Sequence, residues 1–110
     1  MLAGPAMAGL RPETFPSPAL ARDINANVYV PEEAPPPNGW PVLYLLHGHD
    51  GNQNSWRDLG DIAPTLDRLI AEDRIQPLVV VMPDAGNSWY VDSAETGGPG
   101  NYDTALTRDL

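Results

Sequence analysis

Pro41-Val-Leu-Tyr-Leu-Leu46 and Pro77-Leu-Val-Val-Val-Met82 are the two stretches whose reading decides the fold. Each is a continuous apolar run, of the length and character of a strand buried on both faces of a sheet. Between them Ile62, Leu66, Leu69 and Ile70 recur at helical spacing, which predicts an amphipathic helix. Asp61 stands at its N-cap position, and Pro64 falls in the first turn, where a missing N–H is tolerated. Strand, helix and strand in that order make a βαβ unit with parallel pairing.

Outward from this unit, Ile24, Ala26, Val28 and Tyr29-Val30 alternate over residues 24–30, the pattern of a half-buried strand. Residues 31–39 read as a loop, because three consecutive prolines, 35–37, cannot sit in a ladder. Residues 1–18 hold four prolines and little periodicity. They read as a poorly ordered lead-in with a short strand near Glu13–Phe15, and residues 19–110 as the domain portion. His47–Asn54 is a Gly- and Asn-rich loop, and Pro83–Gly100 a long one. Asp103 is placed to cap a helix that begins Thr104-Ala-Leu-Thr-Arg-Asp-Leu110. The class is therefore α/β, a mixed and mostly parallel sheet with flanking helices. Two doubly buried strands need helices on both sides, yet one complete helix is legible, and Leu110 falls inside the next. The expectation is an incomplete fold, the front part of a longer protein.

The 110 residues suffice for one small domain. Six basic against 15 acidic residues give a net charge of −9. That balance argues against nucleic acid, whose phosphates require Lys and Arg, and against an anionic membrane surface. No cysteine is present, which excludes a disulfide scaffold, a Cys-ligated zinc site and a thiol nucleophile. No apolar run approaches the roughly 18 residues of a membrane span. The first ten residues are small and apolar, but Arg11 follows them instead of preceding them, so no signal peptide is read. The compartment stays open, with the cytoplasm the favoured side. A 42% hydrophobic fraction is that of a globular chain.

Five segments together carry a family resemblance. They are Pro41–Gly51 (Pro-Val-Leu-Tyr-Leu-Leu-His-Gly-His-Asp-Gly), Asp67-Arg-Leu-Ile-Ala71, Val79-Val-Val-Met-Pro-Asp84, Gly86-Asn-Ser-Trp-Tyr-Val-Asp-Ser93, and Asn101-Tyr-Asp103 with Leu106-Thr-Arg-Asp-Leu110. In this order and spacing they resemble the esterase-D-like, feruloyl-esterase-like branch of the α/β-hydrolases, over roughly residues 14–110. The resemblance implies a serine ester hydrolase with a Ser-His-Asp/Glu triad, its serine on a Gly-x-Ser-x-Gly elbow followed by the acid and the histidine. In that family the elbow comes after the helix that begins here near Thr104. None of the triad is therefore expected among these residues. The resemblance implies no cofactor, and a small-molecule ester as substrate.

Each candidate residue also admits a purely structural role. None of Ser17, Ser55, Ser88 and Ser93 sits in Gly-x-Ser-x-Gly. Ser88 is a near miss, with Tyr90 where the last Gly belongs, and it reads as a loop serine beside a pocket. By the family's pattern the oxyanion donor is the backbone N–H of His49; the alternative is a Gly-rich turn with no ligand. His47 reads as a packing residue at a strand end more than as a base. His47-Gly-His49-Asp50 falls short of the His-x-His-x-Asp-His signature of zinc hydrolases, because position 52 is Asn and the chain has two histidines. Asp50, Asn52, Asn54, Asp58 and Asp61 match part of a calcium loop, but Ser55 stands where its glycine belongs. No metal is therefore assigned. Ligands of open α/β sheets bind beyond the carboxyl ends of the strands, which makes Asp84, Asn87, Trp89 and Tyr90 the substrate-binding candidates. Two functions follow. One is a carboxylic-ester hydrolase to which these residues give the oxyanion loop and part of the pocket. The other is a non-catalytic fragment or interaction module, self-associating through exposed sheet.

Overall fold

The computed structural model describes residues 9–110. Its strands are β1 (Gly9–Ser17), β2 (Arg22–Val30), β3 (Val42–Tyr44) and β4 (Val79–Pro83). Its helices are a short α1 (Ser55–Asp58), α2 (Ile62–Ala71) and α3 (Tyr102–Thr104), which runs on as a wider π turn over Ala105–Asp109. The strands form one mixed sheet in the order β1-β2-β4-β3.

The βαβ expectation holds: β3 and β4 are parallel neighbours, with Val42 opposite Val79 and Tyr44 opposite Val81, and α2 lies between them in sequence. The expectation of a mostly parallel sheet does not hold. β2 runs antiparallel to both β1 and β4; with β1 it forms a hairpin, closed by a tight turn at 18–21.

The lead-in is corrected as well. Residues 9–17 form a full strand paired with β2 from Gly9–Val30 to Ser17–Arg22; residues 1–8 lie outside the described part. Pro12 and Pro16 are tolerated because β1 is an edge strand, and their shared parity lets both missing donors fall on the open edge.

Tyr29, Leu66, Ile70, Val80 and Met82 form the core, where α2 packs on the sheet, with Leu10, Leu45, Ile62, Ala63, Ile75 and Leu78 around it. Ile24, Ala26 and Val28 occupy the alternate positions of β2 and are buried too, so this strand is covered on both faces. β4 is buried as its sequence predicts. β3 is not: Val42, Leu43 and Tyr44 are 50%, 42% and 51% exposed. It is the outermost strand, paired with β4 alone, and among the described residues nothing lies against its far edge.

Two caps differ from expectation. Asp61 does occupy the N-cap of α2, in left-handed backbone (φ 48°), but its side chain caps nothing. Its carbonyl accepts from the Thr65 N–H and hydroxyl instead. The last helix begins at Tyr102, not Thr104, so Asp103 is internal to it. The cap comes from a distant residue: Asp92 takes the Thr104 N–H at 2.9 Å on one oxygen and its hydroxyl at 2.6 Å on the other.

Candidate active site

Two loops face each other at the carboxyl ends of the parallel pair. Residues 47–54 follow β3, and residues 84–91 follow β4. Between them lies a cleft of about 140 Å³ lined by His47, Gly48, His49, Gly86, Asn87, Trp89 and Tyr90.

The first loop opens with a four-residue turn, Gly48-His-Asp-Gly51, closed by the Gly51 N–H on the Gly48 carbonyl at 3.0 Å. Asp50, third in the turn, has φ 62°, a conformation that Asp tolerates better than most residues. Gly51 is required: a Cβ there would lie 2.6 Å from Ser55 Oγ and 3.0 Å from the Gly48 carbonyl oxygen.

His47 braces this turn from beneath. Its ring is buried, and Nε2 accepts the Ala85 N–H at 2.9 Å. Nδ1 then carries the proton and donates to the Gly48 carbonyl at 2.7 Å, because a neutral imidazole has one donor and one acceptor. Both ring nitrogens are thus committed to backbone, although Asp84 Oδ1 lies 3.6 Å from Nε2. This is the arrangement of a structural strut.

The Gly48 carbonyl is therefore held twice, by His47 Nδ1–H and by the Gly51 N–H. A trans peptide is planar, with its C=O and N–H opposed. Pinning that carbonyl aims the N–H of the same peptide, that of His49, the opposite way. In a turn of this kind the donors of the two central residues are left over. The Asp50 N–H is taken by Asn87 Oδ1 at 2.7 Å. Among the described residues the His49 N–H has no hydrogen-bond acceptor.

The other expected residues divide. Asn87 lines the cleft but uses both ends of its amide on Asp50, donating from Nδ2 to Oδ1 at 2.9 Å. Trp89 is 75% exposed, and its ring stacks on the His49 imidazole at 5.6 Å and 22°. Tyr90 donates its hydroxyl to the His47 carbonyl at 2.5 Å. Burial disfavours the phenolate and pushes the pKa of this phenol above the ordinary tyrosine value. Asp84 is not brought into the cleft; its Oδ1 turns back to accept the Gly86 N–H at 3.0 Å. Ser88 is 2% exposed and accepts the Tyr90 N–H on its hydroxyl oxygen at 3.1 Å, out of reach of any substrate in the cleft.

Sequence reasoning missed the pairings of Asn87 with Asp50 and of Tyr90 with His47. The Asn and Asp residues at both loop tips were the available signal, since their side chains habitually bind nearby backbone. It also missed a second, mainly apolar trough of about 470 Å³ bounded by Tyr44, Leu46, Pro83, Tyr90, Asp103, Leu106, Thr107 and Leu110. Tyr90 is the wall shared by the two. Among the described residues no group of three or more His, Asp or Glu is placed to hold a metal ion, and no helix is long and apolar enough to cross a membrane.

Comparison with known proteins places these features in context. A family model described as "Putative esterase" matches residues 17–110. An endo-1,4-β-xylanase/feruloyl esterase of Xylanibacter ruminicola is 38% identical over 74 residues, 63% of this chain and 10% of that protein. Among solved structures, a ferulic acid esterase superposes with a TM-score of 0.75 at 26% identity, covering 91% of this chain and 39% of its own. A serine-to-alanine variant of the feruloyl esterase module from Clostridium thermocellum, complexed with sinapinate, gives 0.57 at 29% identity, covering 67% of this chain and 26% of its own. The chain thus spans well under half the length of each of these relatives.

Proposed function

The chain belongs to that esterase family, and from this premise we propose that it forms the oxyanion-loop portion of an α/β-hydrolase that cleaves carboxylic esters by serine acylation. The observation that carries the reading is the His49 N–H, without an acceptor among the described residues and held in a braced turn at the strand ends. Attack on an ester carbonyl drives charge onto its oxygen, and a preorganised donor at that oxygen lowers the barrier by about 3–4 kcal/mol. The His49 side chain has no part in this. Trp89, exposed and already stacked on the His49 ring, offers a flat face for an aromatic acyl group.

No serine among residues 9–110 has the setting of a nucleophile, and the nucleophile, acid and histidine of the triad come from residues outside the 110. The trough beyond Tyr90 is bounded by Tyr44 of β3 and by residues of the last helix. Family membership and the feruloyl esterase neighbours favour this reading over an interaction module.

The test is a titration of the 15N-labelled chain with ferulate, which carries both a carboxylate and an aromatic ring. The expected result is a downfield shift of the His49 amide proton together with movement of the Trp89 indole signal. A His49 amide that ignores ferulate overturns the assignment.

A further inference from the structure

Trp89 and Tyr90 are consecutive non-glycine residues in left-handed backbone, at φ 57° and 59°. Such residues are costly and persist only where their surroundings over-determine them. Here the buried Ser88 supplies the restraint. Its hydroxyl takes the Tyr90 N–H at 3.1 Å and its carbonyl the Val91 N–H at 3.4 Å. What the strained turn achieves is the placement of one group: the Tyr90 hydroxyl reaches the carbonyl of His47, 43 residues earlier in the chain.

That carbonyl belongs to the peptide immediately before the one that carries the His49 N–H. The Gly48 carbonyl is pinned by His47 and Gly51; the His47 carbonyl is pinned by Tyr90. With both planes held, glycine at position 48, open on its Cβ side, loses the freedom to rotate the donor away.

We infer that Tyr90 is a positioning residue, which acts through the His47 carbonyl to hold the His49 N–H towards the cleft. This goes beyond lining a pocket, and it rests on the oxyanion reading of the same N–H. Its donor must remain protonated to serve. Burial, which holds the phenol neutral, supports that role.

The experiment repeats the ferulate titration on Tyr90→Phe, which keeps the ring and removes the hydroxyl. Loss of one positioning hydrogen bond predicts a weakening of about five-fold in the ferulate affinity read at the His49 amide. Faster exchange of that amide with solvent is expected alongside. Ser88→Ala, which releases the strained turn while keeping the Tyr90 hydroxyl, is expected to act in the same direction, and it carries the test if Tyr90→Phe does not fold. A merely structural role would lower the thermal midpoint of the variants and leave the affinity of the folded chain unchanged; that result overturns the inference. A wild-type His49 amide that does not respond overturns the oxyanion reading itself, so the two failures are separable. A wild-type spectrum without dispersed amides also overturns the inference, because the donor is then not preorganised in this chain.

Discussion

Asn87 and Asp50 grip each other twice. The Asn87 side-chain Oδ1 takes the Asp50 N–H at 2.7 Å, and its Nδ2 donates to the Asp50 carboxylate at 2.9 Å. This pair fastens the loop after β3 to the loop after β4 at the mouth of the cleft, and it removes the one other central donor of the 48–51 turn from competition. Asn87→Ala cuts both bonds. We expect a loss of about 1 kcal/mol in stability, and faster hydrogen exchange at the Asp50 amide than at the Gly51 amide. Equal exchange at the two positions would mean that the clamp does not hold the turn.

A second prediction concerns alkaline pH. Burial first, and then the hydrogen bond to Asp67, hold the Tyr29 phenol well above the ordinary tyrosine value of 10.0. Between those limits the unfolded chain releases a proton that the folded chain keeps. The stability this group adds is therefore complete below about pH 10 and is lost progressively as the pH climbs towards the folded value. Tyr90 is shifted in the same direction. Urea midpoints should fall between pH 10 and 11. In Tyr29→Phe the unfolding free energy at pH 8 should be lower by about 1 kcal/mol, and the fall of the midpoint above pH 10 shallower.

Acid behaves in the opposite sense. The Asp109 carboxylate accepts the Ala19 N–H at 2.9 Å and the Ser17 hydroxyl at 2.7 Å, which ties the end of the last helix to the β1–β2 turn. Those bonds favour the carboxylate and hold the Asp109 pKa below the usual aspartate value of 3.8, and the Thr104 hydroxyl does the same for Asp92. The stability they add is present above about pH 4 and disappears as the pH drops through the lowered values. Asp109→Ala and Asp92→Ala should each lower the thermal midpoint at pH 7, and the gap to wild type should narrow towards pH 2. A gap that is constant with pH would show that the charge plays no part.

These contacts mark the boundary of what the sequence could show. The apolar runs at 41–46 and 77–82 and the helical spacing from Ile62 to Ile70 declare the parallel unit, because burial leaves a periodic trace in residue type. The exposure of Val42, Leu43 and Tyr44 leaves none: it depends on where β3 stands in the sheet order, which is a property of the whole assembly. β1 was hidden by Pro12 and Pro16, residues that exclude a central strand but not an edge. At the site, His49 followed from resemblance to a family. The reason its N–H is available came from the partners of the Gly48 carbonyl and the Asp50 N–H, and pairings across 37 residues cannot be read from local spacing.

The open edge of β3 has a consequence of its own. An apolar strand with unpaired backbone groups is a template for another strand. The nearby Trp56 indole covers only the Leu46 carbonyl, at 3.2 Å. A net charge of −9 opposes association of two copies, and salt screens that repulsion. Sedimentation velocity should therefore show self-association that grows with salt, and Val42→Lys combined with Tyr44→Lys should suppress it. Association that weakens with salt would point to a charged surface elsewhere.

The most direct test of the central claim, a braced oxyanion turn without its own nucleophile, is hydrolysis of p-nitrophenyl acetate by the purified chain. Near-ultraviolet circular dichroism on the same sample establishes that it is packed. The account predicts a folded chain with no turnover above buffer. Turnover abolished by a serine-directed fluorophosphonate would contradict it and make Ser88, buried though it is, the residue to explain.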